Sequence, residues 1–338
     1  MRNRRRDLLG EKGSNVRMVE IVKKWESIPI AFALLVLMRV LLPLPFTIEV
    51  LIFAIYAMGL NFLLGRAGFI SFGQPAYLCT GAYVTAVYLF YFGHNPYLGF
   101  LIGILGGLIL TVILGPFFVR LRSDYFALVN LAFAVIVFFM LEKVLVKWTH
   151  GDNGLWYMMR ISSTPILDLG KSGDFFIFTL IVTLLVWIFF KYLDGTVFGA
   201  GCLATKVNEE KLKFLGYSTF QIRWLSFVIA NTISALAGSL YAVYFGFVSP
   251  GLTEPSRVAD VVVVTLLGGV GTLYGPLVGA FAYTGMKDLI SKFITHWELI
   301  VGLLLVTIML AGEKGIWGTL EPVLKRIFSR NTDKAGQP

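Results

Sequence analysis

The chain has 338 residues, of which 57% are hydrophobic and 14% charged, and carries a formal net charge of +9. A mean hydropathy of +0.77 excludes a water-soluble domain of this size, because such a domain must still face solvent over its whole exterior. The positive charge needs no nucleic acid: no basic stripe interleaves with aromatics in a soluble module, and the positive-inside bias with attraction to anionic headgroups accounts for it.

In chain order, residues 1–27 come first, with eight Arg or Lys against four acids, and read as a basic cytoplasmic flank. A cleaved signal peptide brings its apolar stretch sooner and ends it at small residues, whereas here the run from about Ile28 leads into Arg39 and LLPLPF. Apolar stretches then recur to about residue 310. Ten predicted spans fit best, at 28–45, 48–65, 76–92, 99–118, 125–146, 173–192, 224–247, 257–272, 273–290 and 297–312, although several are short or glycine-rich and a count of eight or nine also fits. The chain therefore reads as an all-α polytopic membrane protein with a transmembrane body over 28–312. Alternation from a cytoplasmic N-terminus puts the loop 193–223 and the tail 313–338 inside, both rich in Lys and Arg, and the loop 147–172 outside.

Between the second and third spans lies GRAGFISFGQPAYLCTGAY, residues 65–83, with four glycines and a proline. Pro75 lacks an amide donor and biases Gln74 toward extended backbone, so the stretch predicts a broken or re-entrant segment near 65–76. Unwound backbone survives in a membrane only where protein or a water-lined cavity covers it, and such places often bind solute; a plain cytoplasmic hairpin would also use these residues. Ser71, Gln74 and Tyr77 in this stretch, with Asn61, Asn130 and Asn231 inside spans, are the polar candidates for a solute pathway. Interhelical hydrogen bonding is the competing role for each asparagine. Gly99, Gly103 and Gly107, like Gly271, Gly275 and Gly279, recur at four-residue spacing and predict close helix packing or a subunit contact.

The inside loop holds FGAGCLATKVNEEKLKFLGYSTFQIRWLSF at 198–227. Leu203, Val207, Leu212 and Leu215 alternate loosely with polar residues before Gly216, which predicts a short amphipathic helix ending there. It either lies on the membrane or acts as a lever against a soluble partner. Enzyme signatures are missing. Gly170-Lys171-Ser172 lacks the upstream glycine of a phosphate loop, Pro165 standing in its place, and no zincin or triad spacing occurs. Cys79 and Cys202 lie too far apart to suggest a disulfide framework, and His94, His150 and His296 lack metal-ligand spacing. No metal and no directly bound cofactor is expected. No obvious intramembrane acidic pair speaks for proton coupling.

The body from about 30 to 320 resembles the LivM-type permease subunit of bacterial branched-chain amino acid ABC transporters. The resemblance rests on 65–83, on LRSDYFALVNLAF at 121–133, GDNG at 151–154, SFVIANTISALAGSLYAVYFGFVSP at 226–250, TLLGGVGTLYGPLVGA at 265–280 and KGIWG at 314–318. It implies a non-catalytic inner-membrane subunit that translocates branched-chain or related hydrophobic amino acids. Implied partners are a LivH-like permease, two cytoplasmic ATPase subunits that bind ATP and Mg, and a periplasmic solute-binding protein. By the same resemblance Ala204, Lys206, Glu209, Leu215 and Gly216 fall on an ATPase-coupling segment, with Glu209 in docking or internal capping. Gln74-Pro75 replaces the family's common His-Ala, so an imidazole role there is absent. Permeases for urea, short amides or aromatic acids, an ion-coupled carrier and a purely structural protein are the alternatives.

Overall fold

The computed structural model describes residues 42–121, 123–158, 167–293, 299–300, 302–303, 306–307 and 315–319. The predicted span 28–45, apart from its last residues, and most of 297–312 lie outside the described residues, as do the flank 1–27 and most of the tail 313–338. The fold divides into units at residues 1–47 and 48–338. Of the first, residues 42–47 are described, where the Thr47 hydroxyl donates to the Pro43 carbonyl at 3.1 Å.

The described residues are mostly helical. α1 spans Leu44–Phe62 and widens into a π turn at Leu63–Ala67. α2 spans Gln74–Val87 with a π turn at Tyr88–Phe92. α3 spans Pro96–Phe118, and α4 spans Ser123–Phe139 with a π turn at Met140–Val144. After short turns and strand β1 (Leu155–Trp156) come α5 (Ser172–Asp194), α6 (Val197–Phe214) and α7 (Thr219–Phe245). Strand β2 (Phe247–Val248) precedes α8 (Pro255–Gly268) and α9 (Gly275–Ile290). Among the described residues five helices are long and apolar enough to cross a membrane: 44–67, 96–118, 124–144, 172–194 and 219–245. With this helical content the chain is a multi-pass membrane protein.

Start signals are local and legible. Asn95 accepts from the Tyr97 amide at 3.0 Å, with Pro96 in the first turn of α3. Thr196 accepts from the Gly199 amide at 3.2 Å at the start of α6. Ser218 caps α7, and Gln221 stands where a capping box puts its amide.

α7 is the hub, packing against α2, α3, α6 and α5. Small residues make this possible. A Cβ on Gly107 would collide with the Ala235 Cβ, and one on Gly103 with the Thr85 and Ser239 hydroxyls. The stripe that also includes Gly99 thus seats α3 on α2 and α7. On the other face of α3, Leu101, Leu105, Ile109, Ile113 and Phe117 are exposed at four-residue spacing, an apolar stripe that suits lipid. The other glycine series differs from the expected helix face. Gly275 and Gly279 belong to α9 and abut α8, but Gly271 sits in the turn before it with φ +77°. Its left-handed backbone closes that turn.

At the end of the unit carrying β1 and β2, those strands pair antiparallel, Leu155 opposite Val248. The Tyr157 hydroxyl donates to the Ala242 carbonyl at 2.8 Å and pins the loop to α7.

Candidate functional site

The break in the helix pair α1–α2 organises one polar centre. Residues 68–73 form no helix. Gly68 (φ +80°) stops the π turn, and Pro75 occupies the first turn of α2. Contacts along α7 measure how far the unwound chain travels. Arg223 lies 4.6 Å over the Phe69 ring, while the Gln74 side chain accepts a hydrogen bond from Ser234. Eleven residues of α7 cover about 16 Å, whereas five helical residues would advance only about 7.5 Å. The non-helical chain from Phe69, which ends in a turn at residues 72–73, therefore advances further along α7 than a helix would, and α2 begins at the fully buried Gln74.

Around this start, buried polar atoms lack a hydrogen-bond partner among the described residues: Ser71 Oγ, Gln74 Nε2, Tyr77 Oη, Asn130 Oδ1 and Asn231 Oδ1. Asn130 and Asn231 each donate one bond to the carbonyl four residues back, at 2.9 Å. The side chain of Asn130 lies against Gly73, where a Cβ would come within 3.0 Å of its Oδ1. The Tyr77 ring lies between Phe133 and Phe227, tilted to the first and edge-on to the second, at 5.7 and 5.6 Å. Orphaned polar groups are rare in protein interiors, and five of them gather near one helix break. Asn61 is different. Its Nδ2 donates to the Thr272 carbonyl at 2.9 Å and its Oδ1 accepts from the Gly271 amide at 2.8 Å. The amide clamps the α8–α9 turn.

A second cluster, at the end of the bundle where α1 meets α6, joins this break to the loop over 193–223. The Lys206 ammonium donates to the Gly65 carbonyl at 3.0 Å, and its stem packs on Gly68, where a Cβ would come within 2.8 Å of the Lys206 Cγ. Arg66 bonds Asp194 at 2.6 Å. Backbone meets backbone at Gly65, whose Cβ would fall 2.5 Å from the Gly271 Cα. The described piece of KGIWG docks here too: Gly315 abuts Gly269, and the Trp317 and Tyr274 rings stand 4.9 Å apart.

The helix expected to run to Gly216 is in fact two. α6 leaves helical geometry at Asn208 (φ −161°, ψ 96°), and the Asn208 side chain caps the next turn by accepting from the Lys211 amide at 2.9 Å. Asn followed by Glu209-Glu210 is a helix-start signature, and that signal was available in the sequence. The second piece closes in a Schellman pattern, Tyr217 amide to Leu212 carbonyl and Gly216 amide to Lys213 carbonyl, with Gly216 at φ +85°. Leu212 is buried, while Val207, Phe214 and Leu215 are 79%, 90% and 74% exposed; Ala204 is half-buried. Glu209 faces inward. It takes a bond from the Thr219 hydroxyl at 3.0 Å and pairs with Lys213 at 2.9 Å and Arg223 at 3.5 Å. Burial pushes its carboxyl up, but Lys213, Arg223 and Thr219 together outweigh that and hold it below the ordinary value.

A third feature escaped the sequence reading. About 25 Å along α1 and α7 from this cluster (17 residues from Arg66 back to Glu49, 18 from Arg223 to Tyr241), a cavity of about 280 Å³ opens between Glu49, Arg257, Asp260 and Lys287. Lys287 pairs with Glu49 at 3.1 Å and Arg257 with Asp260 at 3.2 Å; the Tyr283 hydroxyl donates to Asp260 at 2.6 Å. Two acids, each paired with a cation, thus line one cavity. Each stands alone in its apolar helix, so only packing brings them together.

A family model described as branched-chain amino acid transport system / permease component matches residues 42–310. The chain is 28% identical over 302 residues to the high-affinity branched-chain amino acid transport system permease protein LivM of Salmonella typhimurium, covering 81% of this chain and 70% of the relative. It is 26% identical over 281 residues to the probable branched-chain amino acid transport permease protein LivM of Methanocaldococcus jannaschii, covering 72% and 79%. The autoinducer 2 import system permease protein LsrC of Escherichia coli matches over 177 residues at 30% identity, about half of each chain. No solved structure matches.

Proposed function

This chain belongs to the branched-chain amino acid permease family and is a membrane-spanning transport permease; from that premise we propose that it is the non-catalytic, translocating subunit of an ABC importer for amino acids with apolar side chains. Separate ATPase subunits supply the energy, a second permease completes the passage through the inner membrane, and a periplasmic solute-binding protein delivers the solute. The end carrying Arg66, Lys206, Lys211, Lys213 and Arg223 faces the cytoplasm, with both chain termini on that side. The body runs over 28–312, with the ten-span reading retained.

The observation that carries this reading is the bond from Lys206 to the Gly65 carbonyl. It ties the segment 204–216 to the end of α1, directly before the unwound stretch that leads to Gln74. A push on the exposed Val207, Phe214 and Leu215 by a closing ATPase is then transmitted through Lys206 and Glu209 to the break. There Ser71, Gln74, Tyr77, Asn130 and Asn231 offer weak polar contacts to a passing solute. Asn61, with its amide engaged by the α8–α9 turn, holds that turn. Glu209 acts by internal bonding, bracing the short helix against α7.

Uptake by the reconstituted complex tests this, measured with leucine, isoleucine, valine, phenylalanine and urea, with and without the ATPase subunits. ATP-dependent uptake of the aliphatic amino acids is expected. Uptake of urea alone would discard the amino acid assignment, and concentrative uptake without the ATPases would discard the importer. The ion-coupled alternative, in which backbone carbonyls could hold a sodium ion, predicts concentrative uptake without the ATPase subunits.

A further inference from the structure

We propose that the cavity between α1, α8 and α9 is a binding site for a free zwitterionic amino acid, entered from the side opposite the 193–223 loop; this deepens the permease reading and rests on it. The cavity's charge pattern is the first reason. It presents two cations, Arg257 and Lys287, and two anions, Glu49 and Asp260, on three different helices. Glu49 and Asp260, the less exposed member of each pair, stand in otherwise apolar helix segments, where a charge needs a partner. Mutual neutralisation alone would favour closing the space around the two pairs, yet about 280 Å³ stays open beside them. The Arg257–Asp260 pair uses one guanidinium nitrogen, Nη1, while the fork carries five donors. A carboxylate can therefore bond the fork without displacing Asp260. The ammonium of the same ligand then falls to Asp260 and Glu49.

The walls are the second reason. Ile52, Phe53, Leu78 and Leu252 line the remaining surface, a suitable seat for a branched aliphatic side chain. Tyr56 also lines it, and its buried hydroxyl has no partner among the described residues. Size argues for the same class. Sites for drug-sized ligands run to about 300–1,000 Å³, so this one suits a single small metabolite and excludes a nucleotide or peptide. Urea lacks charge and would leave both ion pairs without a ligand partner. An amino acid satisfies the cations, the anions and the apolar wall together.

The test uses the assembled complex in lipid nanodiscs without binding protein and reads direct binding by saturation-transfer NMR. The probes are leucine, leucinamide (no carboxylate), 4-methylpentanoate (no ammonium) and urea. Wild type should prefer leucine at least tenfold over each of the other three. In Arg257→Gln the preference over leucinamide should disappear while that over 4-methylpentanoate persists, and Asp260→Asn should do the reverse. Arg257→Lys should keep a carboxylate preference at weaker affinity, which separates charge recognition from a folding defect. Equal binding of leucine and leucinamide by wild type, or unchanged preference in Arg257→Gln, overturns the site. Either result alongside intact ATP-driven leucine uptake would leave the importer reading standing, whereas urea-only uptake would strike that reading itself.

Discussion

The two ends of the bundle use charge in opposite ways. At the end carrying α6, charged side chains hold other segments: Lys206 grips the Gly65 carbonyl, Arg223 the Leu121 carbonyl at 2.7 Å, and Glu209 the Thr219 hydroxyl at the start of α7. At the opposite end, charges face each other across a cavity and leave it open. In the proposed mechanism the first arrangement transmits force, because the bonds to Gly65 and Leu121 link segments far apart in the chain without enclosing space. The second recognises a small molecule, because its bonds leave donors and acceptors beside a void. A permease needs both, and separating them by about 25 Å lets one end be pushed while the other selects.

Substitutions at three positions sharpen that contrast, in descending order of effect on stability. Gly65→Val should be the most damaging, since even a Cβ there meets the Gly271 backbone at 2.5 Å, and backbone cannot step aside as a side chain can. Overpacking of this kind costs about 3 kcal/mol; thermal unfolding followed by size-exclusion chromatography should show a lower midpoint and aggregated protein, while a midpoint equal to wild type would mean the two turns separate freely. Asn61→Ala removes the clamp and leaves the Gly271 amide and Thr272 carbonyl unmet, at about 2 kcal/mol. Its expected signature is faster hydrogen exchange at residues 269–274 with leucine binding at the opposite cavity unchanged. Altered binding instead would show that the two ends are not separable.

The smallest effect on stability belongs to Glu209. Its carboxyl sits below the ordinary value of 4.5, so its bonds contribute fully above that pH and are lost as pH falls through the depressed value. Partly exposed ion pairs are worth no more than about 1 kcal/mol. Glu209→Gln should therefore barely move stability at neutral pH, and should remove the acid-side dependence of protease accessibility around residues 208–219. Glu209→Lys, which opposes Lys213 and Arg223 directly, should cut ATP-driven uptake at least fivefold while the cavity's leucine preference holds. Unchanged uptake would show that this carboxylate braces nothing that matters to coupling.

Much of the scaffold was legible. The described helices fall close to the predicted spans because burial of apolar side chains and hydrogen bonding of every backbone group are local demands, readable from run length and punctuation. The break near 65–76 was legible for the same reason: glycine at 68 and proline at 75 state a local conformational preference. The kink at Asn208 was equally local, but a loose apolar alternation from Leu203 to Leu215 drew attention away from the Asn-Glu-Glu start signal. The polar sites were legible only as residue types. Asn61 and Asn231 look alike in sequence, each an asparagine in an apolar helix, yet one is bonded on both faces and the other keeps an unmet oxygen.

The amino-acid order by itself therefore determined that this chain crosses a membrane in helices, where its backbone unwinds, and which permease family it resembles. Tertiary structure alone decided which polar group meets which, bringing Gly271 to Asn61 across 210 positions and Lys287 to Glu49 across 238. The reason is physical. Transfer of a side chain out of water depends on that side chain, but a hydrogen bond or ion pair depends on the position of two, and in a bundle that position is set by how distant helices pack.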